Sequence, residues 1–306
     1  MVLKFLRAGG KSDSASAAPA GVDLAAGRRA FIQSVGLGVA GSALVGSAGF
    51  SPAAAQTVTD TDILNFALNL EYLEAEFYVR AATGRGLTDG EVSGTGTLGA
   101  VTGGRQVNFA TAAIRNYAVE IASEERIHVQ FLRSALGSAR VARPAINLTT
   151  SFTAAAQAAG LITAGQTFDA FADETNFLLA AYIFEDVGVS AYLGAAPLVT
   201  NKTILAAAGG ILAAEAYHAG TIRTVLYSRG LFTPALRISD ARDSLDGSTD
   251  LDQGIGTASI ANISLTNPAN GQAYARTTNQ VLNIVYLNTS KRPGGFFPAG
   301  LNGTIR

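Results

Sequence analysis

The segment Ala122-Ser-Glu-Glu-Arg-Ile-His-Val-Gln-Phe-Leu-Arg133 contains one of only two histidines in the 306-residue chain. Glu125 precedes His128 by three positions, and Glu215 likewise precedes the second histidine, His218, by three. On a helix, residues three apart lie on one face, with their Cβ atoms about 5–6 Å apart. A carboxylate and an imidazole in this arrangement can bind the same metal ion, so both pairs are candidate metal ligands.

Four long segments of the chain have apolar residues at helical spacing. In chain order they cover about 60–83, 107–136, 168–193 and 201–229. Each is followed by a glycine, a residue that commonly ends a helix. The connection 140–166 is long and contains a predicted short helix near 154–159. Two helix pairs joined by one long middle connection predict an all-α four-helix bundle with a single crossover.

The first 55 residues have the composition of an export signal. Arg28-Arg29 is a twin-arginine pair, an uncharged run follows at 34–50, and residues 53–55 form an Ala-Ala-Ala cleavage pattern. We therefore expect residues 1–55 to be a twin-arginine signal peptide and the mature protein to be periplasmic or otherwise exported. The alternative is an uncleaved membrane anchor, although the Gly- and Ala-rich run is marginal in length. Later apolar stretches contain charges or glycines, so we expect no membrane span in the mature chain.

Residues 233–306 differ in composition from the segments before them. Polar stretches rich in Gly, Asn and Asp surround one helix-like stretch at 277–286. We expect the bundle to occupy residues 56–232. The remainder is then a C-terminal extension with one short helix and an extended tail packed on the bundle. A small β module around 258–265 is the alternative interpretation.

The composition excludes several kinds of function. Charged residues make up 15% of the chain and the formal net charge is −1, so we expect no nucleic-acid partner. The chain has no cysteine, and its single methionine is Met1. Disulfides and thiolate metal sites are therefore excluded, and the mature chain offers peroxide no sulfur to oxidise.

The other two long segments each place a glutamate within an apolar stripe, Glu71 in the first and Glu185 in the third. A carboxylate on a buried helix face is costly unless it is paired or bound to a metal. The order along the helices is then Glu, Glu-x-x-His, Glu, Glu-x-x-His, which is typical of di-iron and di-manganese carboxylate bundles. Oxygen and imidazole ligands favour Mn or Fe. The sequence therefore predicts two Mn or Fe ions per chain, held by Glu71, Glu125, His128, Glu185, Glu215 and His218.

The sequence resembles the ferritin-like superfamily. Three segments are similar to the exported ferritin-like family that includes plant desiccation-related proteins: LNFALNLEYLEAEFY (64–78), ARTTNQVLNIVY (275–286) and GGFFPAGLNGTI (294–305). The resemblance covers the chain from about residue 57 to its end. It implies a ferritin-like fold in which Glu125 and Glu215 bridge two metal ions and each histidine binds one ion. Glu71 and Glu185 are then the terminal ligands.

The resemblance also implies a residue that orients a histidine without binding metal. In this superfamily the residue before the Glu-x-x-His glutamate is often acidic and holds the histidine of the opposite helix. Glu124 occupies one such position and Ala214 occupies the other. We therefore expect Glu124 to hold His218, and His128 to depend on another partner. Glu124 is also the alternative to Glu125 as a ligand.

Three further side chains are candidate catalytic residues. Glu74 shares a helix face with Glu71 and is either an alternative ligand or a proton-transfer group. Tyr78 and Tyr192 each follow a predicted terminal ligand by seven residues. They are candidate hydrogen-bond donors or radical sinks near the metals, or alternatively core residues with a bonded hydroxyl.

Two classes of function fit this sequence. In the first, the metal pair acts on peroxide or O2 during oxidative or desiccation stress, as in manganese catalases or di-iron peroxidases. In the second, a structural metal pair stabilises a non-enzymatic envelope stress or assembly protein. An iron-storage cage is a third alternative, although the loop 84–104 and the tail add bulk to a shell subunit. A homo-oligomer is compatible with each of these functions.

Overall fold

The computed structural model describes residues 58–306, so the predicted signal peptide lies outside the described residues. The described chain is predominantly helical, which confirms the all-α prediction. Its helices are α1 (Asp60–Thr83), α2 (Asp89–Val92), α3 (Ala112–Leu136), α4 (Thr150–Ala158), α5 (Glu174–Ala195), α6 (Lys202–Ser228), α7 (Phe232–Asp246) and α8 (Thr278–Tyr286). Short strands β1 (Val101–Thr102) and β2 (Ile146–Asn147) pair in parallel, and β3 (Gly256–Thr257) and β4 (Ile260–Ala261) pair antiparallel.

The four long helices pack as two pairs. Helix α1 lies along α3, α5 lies along α6, and α1 meets α5 in the middle of the bundle. The connection between α3 and α5, residues 137–173, is the predicted long crossover and contains α4. This arrangement brings one side of every long helix to a common interior.

Local signals set the ends of the helices that carry the predicted ligands. Thr59 and Asp62 form a capping box at the start of α1, and Gly84 ends this helix with a positive φ of 77°. Helix α5 begins after Asp173, whose carboxylate accepts from the backbone N–H groups of Thr175 and Asn176.

Helices α3 and α5 begin at Ala112 and Glu174, later than the predicted starts near 107 and 168. The backbone N–H of Thr111, the residue before α3, donates to the Glu174 carboxylate at 2.8 Å. The N-terminal ends of the two helices are therefore joined at this point. Periodicity alone does not predict where the two helices begin, because apolar residues before each helix, such as Val107 and Phe168, are also buried.

The C-terminal extension contains one helix that the sequence analysis did not predict. Helix α8 lies at the expected position, but α7 precedes it, and residues 258–265 contribute only the two-residue strand β4. The buried face of α7 explains the omission, since it includes Ser239, Arg242 and Asp246 beside apolar residues. A helix that buries polar side chains has no clear apolar stripe in its sequence.

A buried ion network fastens this extension to α5 and α6. Arg223 and Arg242 both donate to Asp186, at 2.7 and 2.9 Å, and Asp186 directly follows the predicted ligand Glu185. The other contacts join Arg242 to Asp252 at 2.7 Å, and Arg276 to Asp246 and Asp252 at 2.6 and 3.0 Å. Three arginines thus face three aspartates, so each buried charge has a partner of opposite sign. The network fixes the extension against the helix that carries Glu185.

Among the described helices, α5 with the turn that follows it (Glu174–Leu198) alone has the length and hydropathy of a membrane span, with a mean hydropathy of 1.3 over its most apolar 18 residues. The sequence analysis did not single out this stretch. However, 83% of its most apolar window is buried inside the protein. Burial of this extent is typical of the core helix of a bundle, so the hydropathy of α5 is weak evidence for a membrane span.

Candidate metal centre

The six predicted ligands converge in the interior of the bundle, and all six side chains are buried. The imidazole centroids of His128 and His218 are 6.2 Å apart, so both histidines belong to one centre. The ligand atoms form two overlapping groups, and within each group these atoms lie within 4.8 Å of one another. The first group is Glu71, Glu125, His128 and Glu215, and the second is Glu125, Glu185 and His218.

The two predicted bridging glutamates are placed differently. Oε1 of Glu125 lies 3.0 Å from Nδ1 of His218, and Oε2 lies 3.7 Å from Nδ1 of His128. Glu125 therefore faces both histidines and belongs to both groups. Glu215 lies 3.7 Å from His128 Nδ1 through its Oε1 and belongs to the first group only. The bridging role of Glu215 stays a prediction.

The unpartnered atoms of this cluster fit bound cations. Eight buried side-chain atoms of the six residues have no hydrogen-bond partner among the described residues: Glu71 Oε2, both oxygens of Glu125 and Glu215, Glu185 Oε2, and Nδ1 of His128 and His218. A buried polar atom without a partner costs about 1–3 kcal/mol, and a charged one costs more. Four carboxylates also balance the charge of two divalent cations. The donor set of oxygen and imidazole nitrogen therefore fits Mn or Fe.

Burial and mutual contact shift the pKa values of these groups strongly. Burial, aided by the charge of Glu125, raises the pKa of Glu71 to about 7, and burial raises the pKa of Glu185 to about 8. Burial also acts to raise the pKa of Glu125, but contacts with His128 and His218 outweigh it and lower this pKa to about 2. Burial disfavours the charged histidines, yet the surrounding carboxylates raise their pKa values to about 11 for His128 and about 10 for His218.

These shifts predict that metal stabilises the protein more at pH 8 than at pH 6. A raised histidine pKa stabilises the metal-free fold below the unfolded pKa of 6.5, and this contribution is lost as the pH rises toward 10–11. The raised pKa values of Glu71 and Glu185 also make the metal-free fold less stable as the pH rises, between the unfolded value of 4.5 and about 7 and 8 respectively. Metal ions require deprotonated ligands, so they bind more tightly as the pH rises.

Thermal unfolding with and without Mn²⁺ at the two pH values measures this effect. At a thousandfold excess over Kd, binding contributes about 4 kcal/mol, which corresponds to a Tm increase of roughly 8–16 °C for a domain of this size. We expect the larger increase at pH 8. An increase that is equal at both pH values, or larger at pH 6, contradicts the assignment of these groups as ligands.

Glu124 lies outside both ligand groups and contacts one histidine. Its Oε2 lies 2.6 Å from His218 Nε2, which is the contact expected from the sequence, and its side chain is 44% exposed. The equivalent position on α6 is Ala214, so no described carboxylate holds His128 in the same way. Among the described residues, His218 therefore has a carboxylate outside the ligand groups that orients it, whereas His128 has no equivalent carboxylate.

Replacing Glu124 with alanine is expected to weaken metal binding about 10–100-fold, the usual effect of losing a partner that orients a ligand. The loss should fall on one ion of two, because only His218 is released. Metal titration by calorimetry distinguishes the two binding steps. Asp240→Ala, which removes an exposed carboxylate from α7, is the control. Unchanged affinity in Glu124→Ala contradicts the orienting role.

The candidate catalytic tyrosines contact the predicted terminal ligands across the bundle. Tyr78 on α1 donates its hydroxyl to Oε1 of Glu185 on α5, and Tyr192 on α5 donates to Oε1 of Glu71 on α1. Burial and the nearby carboxylates raise the pKa of both tyrosines, so each remains a neutral donor. Each terminal carboxylate thus has one oxygen held by a tyrosine and one oxygen without a partner.

Glu74 and Gly188 lie together at one side of the centre. Glu74 is buried but belongs to neither ligand group, and burial followed by the charge of Glu125 raises its pKa well above the usual value. A Cβ atom added to Gly188 on α5 would collide with Oε2 of Glu215 and lie 3.5 Å from Oε1 of Glu74. The missing side chain of Gly188 therefore makes room for the Glu215 carboxylate.

Gly188 was not predicted from the sequence as a functional residue. A glycine inside a helix costs about 1 kcal/mol relative to alanine, and Gly188 follows Glu185 by three positions in a segment predicted to be helical. This spacing from Glu185 could have identified Gly188 from the sequence, because residues three apart share a helix face.

The chain is similar to one family model and to two named proteins. A family model described as a ferritin-like domain matches residues 59–228, which include all six candidate ligands. Over 265 residues the chain is 29% identical to the ferritin-like catalase Nec2 of Nesocodon mauritianus, covering 80% of this chain and 84% of that protein. Over 172 residues it is 33% identical to the desiccation-related protein PCC13-62 of Craterostigma plantagineum, covering 56% and 54% of the two chains. No solved structure matches the chain significantly.

Proposed function

This chain belongs to the ferritin-like domain family, and we propose that it is an exported redox enzyme that removes hydrogen peroxide with two Mn or Fe ions. The observation that carries the proposal is the buried cluster of eight unpartnered oxygen and nitrogen atoms. The similarity to a protein named a ferritin-like catalase, over 84% of that protein, supports peroxide as the substrate. Oxidative or desiccation stress is the setting in which such an activity is needed.

The described residues are suited to hold two ions side by side. Glu71, His128 and Glu215 face one position, Glu185 and His218 face the other, and Glu125 faces both. When bound, a pair of redox-active ions supplies the two-electron exchange by which two H2O2 become one O2 and two H2O. The side chains around that pair must position the ligands and transfer protons.

Those side chains position the ligands and hold a proton. Tyr78 and Tyr192 fix the orientation of the two terminal carboxylates. Burial and the charge of Glu125 raise the pKa of Glu74, which favours its protonated form, and a Cβ atom added to Gly188 would lie 3.5 Å from Oε1 of Glu74. We propose that Glu74 gives its proton to the oxygen of the first peroxide that leaves as water when the O–O bond breaks. The second peroxide loses two electrons and two protons as it becomes O2. One of these protons returns to Glu74, and the other converts the remaining oxygen of the first peroxide, as hydroxide, into the second water.

The test is to purify the full chain with its native metal and follow O2 release on adding peroxide. We expect about one O2 for every two H2O2, at a rate proportional to the bound metal. Chelator treatment should abolish the release, and adding the metal back should restore it. Metal-loaded protein that releases no O2 overturns the enzymatic proposal.

A second candidate is a non-enzymatic stress protein with a structural metal pair. It is favoured by the similarity to the desiccation-related protein PCC13-62, which covers 54% of that protein. In that case the metal raises Tm but produces no O2 from peroxide. The same purified sample therefore separates the two candidates.

The tyrosine contacts predict a modest catalytic effect. We expect Tyr78→Phe or Tyr192→Phe to lower turnover about tenfold while two ions remain bound, because each variant releases one oxygen of a terminal ligand. The matched control is Tyr286→Phe, since the buried Tyr286 hydroxyl accepts from the backbone N–H of Leu301 in the extension. Wild-type turnover in both site variants would leave the tyrosines without a role in catalysis.

Export is proposed from the N-terminal sequence alone. Arg28 and Arg29 precede an uncharged run that ends in a small-residue cleavage pattern. Replacing both arginines with lysine is expected to keep the protein in the cytoplasmic fraction of its native host. Unchanged export of this variant would exclude the twin-arginine pathway.

A further inference from the structure

A groove lies between α3 and α6 on the side of His218. Its volume is about 930 Å³. Tyr117, Glu120 and Glu124 line it from α3, and Tyr217 and His218 line it from α6. His218 is itself only 4% exposed, so the groove ends at a ligand that is almost completely buried. This surface feature therefore leads directly to the candidate metal centre.

Two carboxylates line the groove in front of His218. Glu120 and Glu124 carry the only charges other than His218 among its lining residues, and no lysine or arginine lines it. Glu120 is exposed and lies one helical turn before Glu124, so the two carboxylates are about 5–6 Å apart at Cβ. Glu124 in turn contacts His218 Nε2 at 2.6 Å. The two carboxylates thus form a path from solvent to the buried imidazole.

The opposite nitrogen of His218 points to the centre. Its Nδ1 has no hydrogen-bond partner among the described residues and lies 3.0 Å from Glu125 and 3.6 Å from Glu185. One histidine therefore contacts the acidic groove with one nitrogen and the ligand cluster with the other. His128 does not line the groove. Of the two histidines, His218 is the one that lines this groove.

We propose that this groove is the route by which hydrated divalent cations reach the centre, with Glu120 and Glu124 as successive capture sites. The proposal rests on the proposed function, because it concerns loading of the same metal pair. Clefts lined by charges of one sign concentrate counter-ions and raise association rates by about 10–1,000-fold. Carboxylate oxygens suit Mn²⁺ and can replace its water ligands one at a time.

Metal uptake by the metal-free full chain tests this route without any assay of peroxide turnover. The probe is Mn²⁺, whose free hydrated form gives an electron paramagnetic resonance signal that decreases as the ion binds. We expect Glu120→Gln to slow uptake about 3–10-fold, in line with partial loss of electrostatic steering. The amount bound at equilibrium should stay at two ions per chain. Asp240→Asn is the control, since it removes one exposed negative charge away from the groove.

A second pair of variants tests the groove independently of Glu120. Gly220 lines the groove, and a Cβ atom there meets open space. Gly220→Lys places a positive charge in the path and should slow uptake at least as much as Glu120→Gln, whereas Gly220→Gln should have little effect. Higher salt should slow the wild type more than Glu120→Gln, because salt screens the steering charges.

The outcomes distinguish a failure of the proposed route from a failure of the proposed metal centre. Slow uptake in Glu120→Gln and Gly220→Lys, with normal rates in both controls, supports the groove. Uptake at the wild-type rate in both of these variants, with two ions still bound, overturns the route and leaves the metal centre intact. Failure of the wild type to take up Mn²⁺ at all instead counts against the proposed function and the route together.

Discussion

Replacing Glu125 with alanine is expected to remove both metal ions and to abolish peroxide turnover. Glu125 is the one carboxylate shared by both ligand groups, with one oxygen 3.0 Å from His218 Nδ1 and the other 3.7 Å from His128 Nδ1. Its loss also leaves three buried carboxylates around a cavity. Metal affinity should fall by more than about 100-fold, the upper range for losing a residue that only orients a ligand.

Metal analysis after dialysis measures this effect, and thermal unfolding shows whether the variant still folds. The cavity adds a stability cost of its own, so Glu125→Gln, which keeps the volume, is a necessary second variant. We expect both variants to lose the metal. Asp240→Ala should retain two ions, because Asp240 is exposed and belongs to neither ligand group. Two tightly bound ions in Glu125→Gln would show that the shared position has been assigned to the wrong residue.

Replacing Gly188 with alanine is expected to have the second large effect, which is a loss of metal affinity. The same substitution at other helix positions normally stabilises a protein. In an exposed helix the change stabilises a protein by up to about 1 kcal/mol. At Gly188 the new Cβ atom meets Oε2 of Glu215, a buried carboxylate with both oxygens unpartnered among the described residues. Glu215 must therefore move, and α5 cannot retreat because Asp186 is fixed by Arg223 and Arg242.

The matched control for Gly188→Ala is Gly210→Ala on α6. Gly210 is exposed and a Cβ atom there meets open space, so this variant should be neutral or slightly more stable and should bind metal normally. We expect Gly188→Ala to lower metal affinity by about 100-fold and to lose most peroxide turnover. Calorimetric metal titration of the two variants makes the comparison. Equal affinity in both variants would show that Glu215 does not need the space beside Gly188.

The candidate ligands could be selected from the sequence because their selection depends largely on local spacing, and their role as ligands stays a prediction. Glu125 and His128 share a helix face by their separation alone, and a glutamate in an apolar stripe indicates Glu71 and Glu185. The preference for Glu71 over Glu74 came from the family resemblance. The long helices were predictable for the same reason, since their apolar periodicity is strong and their ends carry recognisable caps. The family resemblance added the expectation that Glu124 contacts His218, at a separation of 94 residues in the chain.

Features that depend on packing between helices were not predictable from spacing. The seven-residue interval identified Tyr78 and Tyr192, but only the fold shows that each tyrosine binds the carboxylate of the opposite helix. Glu74 was an alternative ligand in the sequence, and only the fold shows that it belongs to neither ligand group. Helix α7 was missed because its buried face includes Arg242, whose partners come from other segments.

The central claim is that six side chains from four helices hold two metal ions at one centre. Anomalous X-ray diffraction from crystals of the natively metallated protein tests it most directly, with data at the Mn and Fe absorption edges. We predict two anomalous peaks per chain, one beside His128 and one beside His218, both in contact with Glu125. Crystals of folded, natively purified protein with no peak at this centre, or with a single peak elsewhere, would contradict the account.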